Sequence, residues 1–445
     1  MTKRTFSFIM ITGCIFLFQS TPFALASPIF GPSKYIREKG RPHKFKERFT
    51  LCAVSGTYKL IVDNGTYITT EEDDEDEKDK DKKRDKKEKE DKKEKKTRVS
   101  AGEIEINGEE IIKEHDFKKR LARVQRTISL PQGENRVEIE VKGKPGAFIT
   151  VSIECISGCL EPEITYPLTG AIVNKSKTVV QGSLSNLYGE AGVIIQSSGT
   201  GGQAIGLAQT QASDFAGIIP VQQGQNTITV QATDACGYKA TDTITINTET
   251  LEEKIRLTAT PSSGILNTAG ILPVIFEAEV SLPNLVSNYS WDLNGDGTPE
   301  QTGSTLSKVT ANYQYTGLYF PKVTVIDNQG NTYEETTIIN VLSREEMDAL
   351  LKGKWDGMKG KLVVGDIETA LKYFVAGSRD RYRQTFTGLG GRINSIFSSI
   401  SEIKFYTLSE GVANYGAIKI ENGKPYSYPV TFIQDENGIW KIKGF

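Results

Sequence analysis

Apolar and polar residues alternate along most of this chain. Thr57–Asp63 alternates and then meets Asn64-Gly65; Gly102–Gly108 alternates and ends in Asn-Gly; 136–141 and 147–154 repeat the pattern. A period of two with turn residues every ten positions or so predicts half-buried antiparallel strands. The same rhythm runs through Lys177–Gly182, Val193–Ser197, Thr227–Asp234 and Ala240–Asn247. One stretch recurs: Leu130-Pro-Gln-Gly-Glu-Asn-Arg-Val-Glu-Ile-Glu-Val141 is matched by Val221-Gln-Gln-Gly-Gln-Asn-Thr-Ile-Thr-Val-Gln-Ala232. A shared Gly-x-Asn turn before an alternating strand predicts two related sandwiches in tandem.

Helical spacing begins only after 343. Ser343-Arg-Glu-Glu346 forms a capping box, followed by Met347, Leu350, Leu351, Met358 and Leu362. Gly353, Gly357 and Gly360 weaken that run. Asp366 caps a second helical pattern; a third spans Ser378–Phe386 and a fourth Arg392–Ile400. Strands at about 402–408, 412–421, 426–434 and 439–443 close the chain. The expected fold class is mostly β: tandem antiparallel β-sandwiches followed by a C-terminal α+β domain.

Segments that break the rhythm set the boundaries. Lys3 and Arg4 precede an apolar stretch, and Ala24-Leu25-Ala26 offers a small-x-small cleavage site, so 1–26 reads as an export signal. Residues 27–48, basic and holding several Pro and Gly, are expected to be a loose lead-in to a first sandwich over 49–156. That sandwich is interrupted at 71–96, where every residue is charged: nine acids and two bases over 71–81, five acids and ten bases over 82–96. Such a run buries no core and reads as a solvated loop, either a tether or a tolerated expansion. Domains are then expected at 159–248, 253–342 and 343–445.

The 445 residues carry a net charge of only −2, which points to neither nucleic acid nor a membrane surface. Two histidines, His43 and His115, leave most of the chain without the commonest general base and metal ligand. With no nucleophile elbow, P-loop or zinc helix either, no catalytic residue is assigned and the expectation is a non-enzyme. Past residue 26 no segment is apolar for long enough to span a bilayer.

After signal removal four cysteines remain: Cys52, Cys155, Cys159 and Cys236. An even number in an exported chain predicts two disulfides. Of three pairings, Cys52–Cys155 with Cys159–Cys236 is preferred, because each closes one module.

Three resemblances sharpen this. Pro167-Leu-Thr-Gly170, Val179-Val-Gln-Gly182, Gly224-x-Asn226-x-Ile-x-Val and Ala232-Thr-Asp234-Ala-Cys-Gly237 resemble bacterial immunoglobulin-like domains of exported proteins. Ser290-Trp291-Asp292-Leu-Asn-Gly-Asp-Gly297, with Tyr313-Gln-Tyr-Thr-Gly317 and Val325-Ile-Asp327, resembles the polycystic-kidney-disease (PKD) domain. That resemblance implies Trp291 as a core anchor, with Tyr315 and Gly317 shaping the next turn. The Gly438-Ile-Trp-Lys-Ile ending is similar to the nuclear transport factor 2-like superfamily, whose cone-like domains hold a pocket between helices and sheet. The expected lining is Tyr373, Phe374, Tyr382, Phe386, Tyr415, Tyr428 and Trp440, against the plainer reading that these rings are core. The opening Ile11-Thr12-Gly13-Cys14 resembles a lipobox, so lipid anchoring at Cys14 and an uncleaved anchoring helix stand as alternatives to simple export.

One motif suggests a cofactor. Asp292, Asn294, Asp296 and Thr298 alternate as in the start of a calcium loop, with Gly297 permitting the bend. Position twelve is Gly303 where the full loop has a bidentate Glu, so calcium and a metal-free polar turn both remain open. The chain as a whole reads as an exported periplasmic or cell-surface protein that binds a protein or glycan partner. In that reading sandwich spacers present a terminal head; the alternative is a small-ligand carrier or sensor using the aromatic pocket.

Overall fold

The computed structural model describes residues 28–42, 44–53, 56–65, 97–117 and 121–445. The signal, the lipobox and the charged 71–96 run lie outside the described residues. Four hydrophobic cores define four modules, the first three built of strands that pair antiparallel except for one short parallel pair in the third.

Module 1 is a sandwich of two four-stranded sheets. One is ordered β1 (Phe30–Ile36), β8 (Phe148–Ser157), β3 (Thr57–Asn64), β6 (Arg123–Ser129); the other β2 (Lys44–Leu51), β7 (Gly133–Lys142), β4 (Ala101–Ile106), β5 (Glu109–Ile112). The expected lead-in at 27–48 is therefore corrected: it supplies β1 and β2. The basic character that suggested a loose segment is matched by acids across the sheet. Lys46 faces Glu138 at 3.0 Å, Arg48 faces Glu134 at 3.1 Å, and Lys44 reaches Glu105 at 3.4 Å. Phe30 and Tyr35 are buried in the core, and Phe45 and Phe49 pack against it.

Module 2 has sheets β13 (Gln209–Gln211), β14 (Asp214–Pro220), β10 (Lys177–Ser185), β9 (Glu161–Tyr166) and β12 (Gly202–Leu207), β11 (Ala191–Gly199), β15 (Gly224–Asp234), β16 (Lys239–Thr248). The repeated motif has one physical cause in both sandwiches. Asn135 and Asn226 are fully buried. Each amide donates to two turn carbonyls, Pro131 and Gly133 in module 1, Gln222 and Gly224 in module 2. Gly133 and Gly224 take φ of 95° and 91°, a left-handed region that favours glycine.

Module 3 packs β17 (Ile255–Thr260), β19 (Leu272–Val280), β22 (Lys308–Tyr313) on β21 (Gln301–Gly303), β20 (Val286–Asp292), β24 (Lys322–Asp327), β25 (Thr332–Thr336). Trp291 is fully buried and donates its indole N–H to Leu306 O at 2.8 Å. Tyr315 is exposed, and its carbonyl accepts from the Tyr319 hydroxyl at 2.9 Å; the buried tyrosine is Tyr313, whose hydroxyl donates to Leu293 O at 2.7 Å.

Module 4 begins with α1 (Arg344–Val363), α2 (Ile367–Leu371), α3 (Ala376–Leu389) and α4 (Ile393–Ser398). Ser343 and Asp366 cap α1 and α2 as expected, accepting from Glu346 N and Thr369 N. Gly357 lets α1 pass under Tyr373, where a Cβ would meet the Tyr373 hydroxyl at 2.5 Å. Strands β27 (Ile400–Ser409), β28 (Val412–Glu421), β29 (Lys424–Gln434) and β30 (Trp440–Gly444) follow. They continue a seven-stranded sheet into β18 (Ser263–Ile265), β26 (Ile339–Leu342) and β23 (Gly317–Tyr319) of module 3, through the Gly264–Ser409 pair. The module expected as a terminal head thus shares a sheet with its neighbour. No helix among the described residues is long and apolar enough to cross a membrane.

Candidate functional site

The cysteine pairing differs from the expected one. Cys52 bonds Cys236 across modules 1 and 2, and Cys155 bonds Cys159, with Cα separations of 5.7 and 6.4 Å. Neither Cys52–Cys155 nor Cys159–Cys236 forms. Cys155 lies near the end of β8, and Gly158, at φ 80°, turns the chain so that Cys159 returns to it. Cys52 follows β2 at the end of module 1 that faces the Asp234–Tyr238 turn of module 2. The expectation that each bond closes one module failed because it ignored how modules dock.

The Asp292 turn forms as a tight knot. Asp292 is buried; its two carboxylate oxygens accept from Gly295 N at 2.7 Å and Gly297 N at 2.8 Å. Exposed Asn294 and Asp296 bind each other, and Asp296 accepts from Thr298 N at 2.7 Å. That backbone bond, then Asn294, holds the Asp296 carboxyl below its usual range. Glu300, at position nine of the loop, accepts from Leu293 N at 2.6 Å, and oxygens of Asp292, Asp296 and Glu300 lie within 4.8 Å of one another. Each acid thus orders the turn, and the three together converge on one point that a hard cation suits.

The aromatic residues of module 4 divide into two groups. Phe374, Tyr382 and Phe386 stack together, with Phe374 and Tyr382 centroids 4.4 Å apart. Phe445 joins them, 5.0 Å from Tyr382 and 5.2 Å from Trp355; its N–H donates to the Tyr382 hydroxyl, which donates to Phe445 O. Tyr415 is buried between Phe405 and Phe432 on the sheet side; burial foremost, then Asp348, pushes its phenol well up. Tyr373 is half-buried and Tyr428 exposed. Phe374, Tyr382, Phe386 and Tyr415 fill core space, with Phe445 seated among the expected lining, whereas Tyr428 lies outside it.

Trp440 belongs to the module 4 core, and its backbone meets module 2. Its backbone N–H donates to Glu190 Oε1 at 2.7 Å, and Glu190 Oε2 accepts from Lys354 Nζ at 2.5 Å. The Glu190 and Lys354 side chains are 7% and 13% exposed. Lys441 stands nearby with its ammonium pKa lowered, by burial first and then by Lys354. Beside this knot, modules 2, 3 and 4 enclose a cleft of about 290 Å³ lined by Gln209, Asn340, Glu346, Met347, Leu350 and Trp440. Asn340 is buried and donates to Thr210 O at 3.2 Å, while its Oδ1 has no partner among the described residues. No sequence signal marks this cleft, because it exists only once three modules dock.

No family model and no curated protein matches the chain. Among solved structures it is similar to the fibronectin(III)-like modules of CbhA from Clostridium thermocellum, at 14% identity and TM-score 0.17, over 40% of this chain and 93% of that one. It is also similar to latent PorU from Porphyromonas gingivalis, at 9% identity and TM-score 0.25, over 65% and 30%. The adhesin InvE of Yersinia pseudotuberculosis gives 15% identity and TM-score 0.16, over 41% and 58%. Likenesses this distant carry no argument about function; the sandwich architecture rests on the strand pairing itself.

Proposed function

We propose that this is an exported, non-catalytic binding or structural protein of the cell envelope or cell surface, whose modules 2, 3 and 4 act as one body. In this reading the second module is immunoglobulin-like, the third PKD-like, and the fourth a relative of the nuclear transport factor 2-like superfamily. The observation that carries it is the fusion of modules 2, 3 and 4 through a shared sheet and the buried Glu190 knot, which makes one broad surface fixed in shape. Two disulfides support an oxidising compartment. The partner is a protein or glycan. Photo-crosslinking in cells from exposed positions on modules 2 and 3 tests this: adducts with envelope proteins or glycans are expected, and recovery of the protein and its adducts in the cytosolic fraction overturns the reading.

Calcium belongs to the same proposal, held by Asp292, Asn294, Asp296 and the Thr298 backbone, with Glu300 as a further ligand. Millimolar affinity is expected of an extracellular site. A calcium-dependent rise in melting temperature that Asp296→Ala abolishes supports it; a calcium-independent melt refutes it.

The three-module cleft favours a second reading, a small-ligand carrier. A ligand there would present an N–H to Asn340 Oδ1 and an apolar body to Met347, Leu350 and Trp440. Mass spectrometry of protein isolated from its host under native conditions tests it, a bound small molecule lost in Asn340→Leu being the expected result.

A further inference from the structure

The joint between modules 1 and 2 is held differently from the others. Modules 3 and 4 share a sheet, and Glu410 accepts from Ser262 N and Oγ. Modules 2 and 4 share the Glu190 knot, and Lys175 of module 2 pairs with Glu335 of module 3 at 3.6 Å. Across the first joint stand the Cys52–Cys236 bond and Tyr238, which packs against both cores. The connecting chain, 158–160 between β8 and β9, carries Cys159, which is bonded back to Cys155 in β8. Cys52, Cys159 and Cys236 line one small cavity of about 80 Å³ together with Asp234 and Tyr58. Cys52 and Cys236 are both partly exposed, and a carboxylate oxygen of Asp234 lies within 4.8 Å of both sulfurs.

We propose that the Cys52–Cys236 bond is a redox modification site, opened by a dithiol reductant of the extracytoplasmic space, and that opening frees module 1 to swing about the 158–160 link. A reductant thiolate attacks one sulfur of the pair. An S–S bond forms to the reductant while Cys52–Cys236 breaks, and the departing sulfur leaves as a thiolate that takes a proton. The second reductant thiol then displaces the protein sulfur, so two protein thiols and one reductant disulfide result. Solvent supplies the proton at the partly exposed sulfurs; the Asp234 carboxyl beside them is raised by burial, against the amides of Tyr238, Cys236 and Gly237. The tethered link lets module 1 depart without loss of either fold, because each module keeps its own core.

Hydrogen exchange on the intact protein, with dithiothreitol as the probe and alkylation to record which thiols open, tests this. Once Cys52 and Cys236 are alkylated, amides at 50–53 and 234–238 are expected to exchange at least about tenfold faster, a local opening of the joint. Exchange in the strand cores of modules 1 and 2 and throughout 253–445 stays unchanged. Cys52→Ser/Cys236→Ser shows the open pattern without reductant, and Cys155→Ser/Cys159→Ser keeps the response. The proposal is overturned by any of three results: the joint stays protected after alkylation, the cores of modules 1 and 2 lose protection together, or only Cys155 and Cys159 react. The reductant arm starts from folded wild-type protein, so a variant that fails to fold does not spare the proposal. Its failure is separate from failure of the export reading, which the cell fraction decides.

Discussion

Removing the Glu190 carboxylate strikes the contact between modules 2 and 4. In Glu190→Ala, Lys354 keeps its buried position without a counter-ion, and Trp440 N loses its acceptor. Breaking one partner of a buried pair costs about 3–5 kcal/mol. Lys441, already depressed by burial and by Lys354, worsens the unpaired positive charge. At about 1.4 kcal/mol per factor of ten, the hairpin carrying Asn437 and Gly438 should open roughly 100- to 4,000-fold more often. Glu190→Gln keeps a carbonyl for Trp440 N and should give a smaller effect. Glu190→Ala/Lys354→Met removes both charges and should recover much of the loss. Amide exchange at 435–442 measures this. Unchanged exchange in Glu190→Ala would mean that the interface is held by packing alone, and the electrostatic account would fall.

Other outcomes follow from the same geometry. Gly192→Ala should part modules 2 and 4, since its Cβ would meet Asn437 O at 2.0 Å and Gly438 C at 2.5 Å, both backbone; loss of Trp440 burial, read by fluorescence quenching, checks it. Asn226→Ala leaves the Gln222 and Gly224 groups of its turn without partners and should destabilise module 2 by about 2–3 kcal/mol, measured by denaturant melts; Asn135→Ala should do the same to module 1. At Asp327, burial works against the charge, but bonds from Asn331, Asn284 and two backbone amides hold the carboxyl well below its ordinary 3.8. A depressed folded pKa means stability present above 3.8 and lost as pH falls through the lower folded value, so module 3 should weaken in acid. Asp327→Asn should flatten that loss in melts followed by Trp291 emission.

What the sequence carried was local. Alternation located β3, β4, β7, β8, β10, β11, β15 and β16, and the closing strands β27 to β30 lie about where they were expected; the Gly-x-Asn repeat located a turn whose cause is one buried amide, and Ser343 and Asp366 marked two helix starts. Trp291 was legible as a core anchor through the PKD resemblance, and its ring is fully buried. What failed was non-local. The basic 27–48 segment has period-two spacing at Phe45, Glu47 and Phe49, yet its acidic partners lie some 90 residues further on, at Glu134 and Glu138. The cysteine pairing depended on which module ends meet. Rings in module 4 were recognisable as buried, but not that Phe445 would sit among them. The three-module cleft, the Glu190 knot and the shared sheet arise from docking, for which a single sequence gives no periodic signal.

The account turns on modules 2, 3 and 4 forming one body. Spin labels at Thr200→Cys in module 2 and Lys424→Cys in module 4, both exposed positions, measure that directly through their distance distribution. A single narrow distance is predicted, unchanged by dithiol-free buffer conditions and broadened by Gly192→Ala. A broad distribution in the unaltered background would mean that the modules move as separate beads, and would contradict the account.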